Sequence, residues 1–273
     1  MTLAAAKEFN KKYTTDASAR YERLKEKMAF SRARRAEITY ARQLRAVARH
    51  VADIIRAFPL GNPQAVQQVI EYLNRYSQLI GPWAQASATK MIAQVSQRDK
   101  MAWDKLAKQL GIGLKQEVNE APIGDVVRKI LADQVHLITS IPRDAAEEVQ
   151  KTALEYMTGG RRYGAMVPDI ERQVHAELAH KAHSRAVLIA RTETAKAATA
   201  LTQARSQSMG VTHYIWMTAN DADVREAHQK LQGTIQRWDD PPIAEANGER
   251  HHPGMSPNCR CFAEPVLTQP PQT

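Results

Sequence analysis

Residues 209 to 219, MGVTHYIWMTA, decide how this chain is read. Before Gly210 runs SRAVLIARTETAKAATALTQARSQSMG (184–210), rich in alanine and closed by a glycine, as helices often are. After it, His213, Ile215 and Met217 alternate with Tyr214 and Trp216, the two-residue period of a strand. The chain thus changes character at one residue. NDADVREAHQKLQG then reads as a short helix capped by Asn220 or Asp221 and stopped by Gly233. TIQRW reads as a second strand, DDPPIAEANGERHHPGMSPN as a long loop, and CRCFAEPVL as a third strand.

Upstream, everything reads as helix. A long helix is expected from a cap at Asp16 to about Phe58, with Tyr40, Leu44, Val47, Val51, Ile54 and Phe58 as one apolar seam. The same stretch carries Arg32, Arg34, Arg35, Arg42, Arg45, Arg49 and Arg56. FPLGNP (58–63) ends it. A second helix shows Val66, Ile70, Leu73 and Ile80 on one face and breaks at Gly81–Pro82. A third runs from about Trp83 to Leu110 and stops at Gly111 and Gly113. Short connections predict antiparallel neighbours in a bundle. APIGDVVRKILADQVHLI (121–138) is helical in spacing. IPRDAAEEVQKTALEYMTGG (141–160) is expected to start a new helix at Pro142 and to end at its glycine pair, and PDIERQVHAELAH follows as a further segment. The expected fold class is mainly α, an N-terminal and middle helical bundle with a small C-terminal α+β module. The expected divisions are 1–118, a basic helical region; 119–210, a middle helical region; and 211–273, the module.

Lysine and arginine total 38 against 29 acids, a formal charge of +9 with a pI near 9.6. Such a balance suits double-stranded DNA or an acidic protein surface. The arginines from Arg32 to Arg49 would make that contact, or stand as a solvated face; the seam through Tyr40 and Val51 is the apolar alternative. Aromatics are not interleaved with the charges, which speaks against a single-strand reader. No stretch reaches the ~18 uninterrupted apolar residues of a membrane span. MTLAAAKEFNKKYTTD lacks a signal-peptide apolar core, so the cytoplasm is the expected place of synthesis. There is no Gly-rich phosphate loop ending in Lys-Ser or Lys-Thr and no G-x-S-x-G elbow.

Both cysteines fall in HHPGMSPNCRC (251–261). In an extended strand Cys259 and Cys261 share a face and Arg260 takes the other. Two thiolates on one face can share a tetrahedral zinc, completed by His228 and by His251 or His252. Plain packing of the thiols beside a hydrogen-bonded His228 explains the same residues. A Cys259–Cys261 disulfide is disfavoured by the i, i+2 spacing. Asp221, Asp223, His228, His251, His252 and Asn258 also include the residue types of a one-metal nuclease, though acids at a helix start have capping as an ordinary explanation.

Arg191-Thr192-Glu193 on a helix, Gly210, a strand holding Trp216, and the run Asp221, Asp223, Arg225, His228, Leu231, Gly233 form an ordered set. Pro257-Asn258-Cys259-Arg260-Cys261 and then Pro265 close it. In this order they resemble the phage head morphogenesis proteins, the minor capsid family that includes the F protein of phage Mu. The resemblance spans roughly residues 120 to 267. It implies a virion component, without enzymatic activity, that associates with the portal vertex and helps to assemble or fill the head. The implied partners are a portal protein, a major capsid or scaffolding protein and double-stranded DNA, with no membrane. The implied location is the head interior or portal vertex, and the host cytoplasm during assembly. Within the motif, Arg191 and Glu193 are expected to reach charged partners among Asp221, Asp223 and Arg225, with Trp216 and Gly233 as structural members. One position departs from the family. Where its closing motif carries a histidine two residues before the asparagine, this chain has Ser256, with His251 and His252 a few residues earlier.

Overall fold

A computed structural model describes residues 28–158 and 168–267. The expected cap at Asp16 and the glycine pair 159–160 lie outside the described residues. The fold is mainly α, with the strands confined to a small antiparallel sheet near the C-terminus. The helices are α1 (Arg34–Arg56), α2 (Pro63–Leu79), α3 (Gly81–Leu110), α4 (Lys115–Glu120), α5 (Gly124–Thr158), α6 (Pro168–Ser208) and α7 (Glu226–Leu231). The strands are β1 (His213–Met217), β2 (Ile235–Arg237) and β3 (Phe262–Pro265), in the order β2-β1-β3. No helix among the described residues is long and apolar enough to cross a membrane.

The chain forms two compact units, each gathered from separated stretches. One comprises Glu37–Met91 and Leu131–Arg191, and among the described residues its regular structure is wholly helical. Its core takes Tyr40, Leu44, Val47, Val51 and Ile55 from α1. The seam therefore ends on Ile55, while Ile54 is half-buried. A straight helix turns by 3.6 residues, so a strict four-three alternation drifts off the core-facing line by about 20° per heptad. Burial of Tyr40 and Val51 removes the seam as an apolar docking surface. Arg42, Arg45, Arg49 and Arg56 occupy the opposite, exposed face of α1. Between α2 and α3 stands only Ile80, in right-handed helical conformation, its N–H bonded to the Tyr76 carbonyl and its carbonyl to the Ala84 N–H. The expected break at Gly81–Pro82 thus contains no reversing loop. Pro82 falls in the first turn of α3, where the missing N–H costs nothing.

Pro142 lies inside α5 and starts no new helix. The turn before it is held by side chains. Thr139 Oγ1 donates to the Val135 and His136 carbonyls, Ser140 Oγ to that of Leu137, and Ser77 Oγ to that of Thr139 (2.6 Å). Ile138, Ile141, Ala145 and Val149 are all buried, so packing keeps the helix going past a residue that propensity would use as a boundary. The two segments expected after it are likewise one helix, α6, of 41 residues.

The other unit comprises Met1–Ala36, Ile92–Ile130 and Thr192–Thr273. The expected long helix is absent between residues 28 and 33. There the Ala29 and Phe30 N–H groups donate to the two carboxylate oxygens of Glu264 in β3 (2.9 and 2.8 Å), and Phe30 meets Trp103 edge-on. These contacts replace the helical hydrogen bonds that the local sequence would otherwise make. Asp99 on α3 and Arg205 on α6 form a buried ion pair, supported by Thr202 Oγ1 on the carboxylate and Ser96 Oγ on the guanidinium. α6 ends in a Schellman turn. Gly210 sits at φ 71°, Val211 N–H reaches the Ser206 carbonyl and Gly210 N–H that of Gln207.

Tyr214 to Met217 of β1 are all buried, so both faces of the strand are covered, while β2 and β3 pair along its two edges. Its register pairs Ile215 with Ile235 on one side and Trp216 with Ala263 on the other. Tyr214, Trp216, Trp238, Ala244, Cys259, Cys261 and Ala263 make the core of this module.

Candidate functional site

β1 and α7 place Trp216 and His228 side by side, with ring centroids 5.3 Å apart. α7 is short and starts without a side-chain cap, since Arg225 holds the N-cap position. Asp221, expected to cap it, accepts the Asp223 N–H in a local turn one step earlier, and Asn220 takes a positive φ of 53°. Gly233, at φ 71°, turns the chain after α7 so that its N–H meets the Trp216 carbonyl at 2.7 Å.

Cys259 and Cys261 lie just before β3 and not within it. The left-handed residue Asn258 (φ 59°) breaks the extended run there. The expected facing survives nonetheless. Both sulfurs turn to Nδ1 of His228, at 3.6 and 3.5 Å, while Arg260 turns the other way. The Cys261 N–H points at the Cys259 sulfur, 3.5 Å off. All three side chains are buried, and both cysteines are free thiols. The Cys261 thiol and the His228 imidazole draw Cys259 well below the usual thiol range, and the same shared charge together with burial pushes Cys261 up.

The other nitrogen of His228, Nε2, faces Glu245 Oε1 at 3.6 Å. His251 approaches the same oxygen at 3.4 Å and Ser256 Oγ at 2.7 Å. Ser256 donates to Glu245 at 2.6 Å. Burial works to raise the Glu245 carboxyl, but the Ser256 hydroxyl, Arg225, His228 and His251 outweigh it and hold the group below its ordinary value. His251 thus stands against Ser256, the position at which the family's histidine is missing. His252 belongs to neither group. It meets the Tyr214 hydroxyl through Nδ1 at 2.9 Å and packs edge-on against Trp238, and burial lowers its pKa. The loop between Asp239 and Pro257 folds back on itself, and this separates two adjacent histidines into different neighbourhoods.

The charged motif residues are all engaged. Arg260 forms a two-pronged pair with Asp221 and reaches Asp223 at 3.2 Å. Arg225 donates to the Pro257 carbonyl at 2.8 Å and faces Glu245 at 3.8 Å. Arg191 pairs with Glu37 at 3.6 Å, and Glu193 with Lys196 at 2.8 Å. Thr192 also grips the closing turn, its Oγ1 accepting the Asn258 N–H at 3.0 Å. One turn pair further along α6, Thr199 donates to the Pro253 carbonyl at 2.6 Å. Sequence reasoning missed Glu245 and Thr199, and named Thr192 within the motif without giving it a contact. Glu245 carries no signal in its loop, whereas Thr192, Thr199 and Thr202 recur at helical spacing and could have been read as a polar stripe.

Among the described residues, two groups have donors close enough for one ion: His228, Cys259 and Cys261, and His228, Glu245 and His251. Beside the second opens a depression of about 520 Å³ lined by Arg225, Glu245, His251 and Ser256 among others. Of the arginines expected to touch DNA or a portal, Arg34, Arg35, Arg42, Arg45 and Arg49 are exposed and Arg32 is half-buried.

Residues 147–264, from the second half of α5 through β3, match the family described as Phage Mu protein F like protein. The resemblance to the phage head morphogenesis proteins read from the motif residues is thereby supported over this part of the chain. The matched segment carries the site just described, from Thr192 to Cys261. A protein of Haemophilus influenzae, described as uncharacterized, is 33% identical over 163 residues, or 59% of this chain. The chain spans about a third (34%) of that protein's length. No solved structure matches the chain significantly.

Proposed function

We propose that the protein is a minor head protein of a bacteriophage, which associates with the portal vertex and assists capsid assembly, DNA packaging or DNA delivery. The observation that carries this reading is the match of residues 147–264 to the Mu F-like family. The geometry supports it. Asp221, Asp223, Arg225 and Arg260 are engaged in pairs inside the module, which suits a docking piece of fixed shape. A portal protein and a major capsid or scaffolding protein are its partners in this reading, in the host cytoplasm during assembly and then in the head interior or at the portal vertex. The exposed arginine face of α1 would contact the phosphates of packaged DNA or an acidic portal surface.

The test is co-expression with the portal and major capsid proteins of the same genome, followed by purification of complexes and particles. The expected result is co-purification with the portal and a fixed copy number per particle. Absence from particles, together with no binding to either protein, would overturn the reading. A nuclease using the C-terminal cluster is disfavoured by the engagement of Asp221 and Asp223 with Arg260. A plasmid-nicking assay with magnesium or manganese is expected to show no cleavage above that of a His228→Ala, His251→Ala double variant.

A further inference from the structure

We infer that His228, Cys259 and Cys261 hold one zinc ion, through Nδ1 and the two thiolate sulfurs. The separations carry the inference. A tetrahedral zinc with Zn–S of about 2.3 Å and Zn–N of about 2.0–2.1 Å puts sulfur and nitrogen about 3.5–3.6 Å apart. The two sulfur–Nδ1 distances are 3.6 and 3.5 Å, and the three donor atoms all lie within 4.8 Å of one another. One imidazole nitrogen facing two sulfurs has a single N–H at most to share between them, which would leave both contacts weak. A metal at the common centre accounts for both.

The surroundings match what zinc ligands usually have. The far nitrogen of His228 faces a carboxylate, Glu245, which is the arrangement that fixes a metal-bound imidazole in its tautomer and orientation. The Cys261 N–H aims at the Cys259 sulfur, a contact that favours a thiolate. Among the described residues no fourth histidine, cysteine or carboxylate joins the set, so a solvent oxygen takes the remaining vertex. His251 belongs to the outer layer through Glu245 and Ser256, and His252 lies outside the site altogether. The ligands stand 31 and 33 residues apart along the chain, so the ion pins α7 to the turn that leads into β3. This assignment is independent of the portal reading, since it concerns only how the module is held.

The experiment uses the full chain, purified without a histidine tag and without chelator, with metals measured by mass spectrometry. One zinc per chain is expected, and replacing zinc by cobalt should produce the thiolate-to-cobalt charge-transfer band in the near ultraviolet. His252→Ala should keep one zinc per chain, and Glu245→Ala should keep it with affinity weakened about 10–100-fold. Cys259→Ser and Cys261→Ser should fall below a tenth of the wild-type content. Wild-type protein that is folded, free of zinc and unable to take up added zinc overturns the inference, as does another metal in its place. So does zinc retained in folded Cys259→Ser, or zinc lost in folded His252→Ala.

Discussion

Glu264 shows how far one side chain can redirect the chain. Its two oxygens accept the Ala29 and Phe30 N–H groups and keep the segment before α1 out of helix. Burial raises its pKa from 4.5 to about 7, against the pull of those two N–H groups and of Lys105. Between those two values the native state keeps a proton that the unfolded chain has lost. The contribution of this group to stability is therefore greatest in acid and falls as pH rises through the window from about 4.5 to 7. Melting temperatures of wild type and Glu264→Gln, measured from pH 4 to pH 8, are expected to diverge, with the variant flatter over that window. Parallel curves would contradict the assignment. Gly254 is a second decisive residue. It sits at φ 83°, and an added Cβ would lie 3.1 Å from Thr199 Oγ1, 3.2 Å from the Ala195 carbonyl and 3.3 Å from that of Cys261. Gly254→Ala should cost at least about 1–2 kcal/mol from the backbone conformation alone, read by denaturant unfolding.

At the level of elements, α6 organises the C-terminal unit through its hydroxyls and one guanidinium. Thr199→Val removes the donor to the buried Pro253 carbonyl, and an unsatisfied group of that kind costs about 1–3 kcal/mol. Asp99→Ala leaves Arg205 buried without its carboxylate, for which about 3–5 kcal/mol is expected. Chemical denaturation of the two variants should rank them in that order, and a neutral Asp99→Ala would show that the pair contributes little. In α5 the same physics works in reverse. Pro142 deletes one backbone donor, but Thr139, Ser140 and Ser77 occupy the neighbouring carbonyls and a buried apolar face spans the site, so the helix persists.

At the level of the molecule, each compact unit is built from stretches far apart in sequence, and four of the helices contribute to both. The exposed arginines of α1 bear on function at this scale. If they contact DNA, binding should weaken steeply as salt rises, with little sequence preference, because counterion release supplies the affinity. A filter-binding titration between low and physiological salt would check this. Charge reversal at Arg42, Arg45 and Arg49 should reduce the salt slope, while affinity that is indifferent to salt would assign the face to another role.

Local pattern alone determined that the chain is mainly helical, that it switches to strands after Gly210, and that two thiols near the end share a face. These follow from periodicity, from glycine's tolerance of positive φ, and from alternation along extended backbone, all of which act over a few residues. The ordered motif from Arg191 to Cys261 likewise pointed to the family matched over residues 147–264. Only the tertiary structure decided the rest. The helix before Arg34 yields to a carboxylate more than two hundred residues away, Pro142 is absorbed by packing, and His251 and His252, adjacent in sequence, face different partners. Thr192 meets the closing turn across 66 residues of chain, and Glu245 arrives from a loop without local pattern. In each case a buried polar group had to find a partner, and which partner it found depended on where distant parts of the chain came to lie.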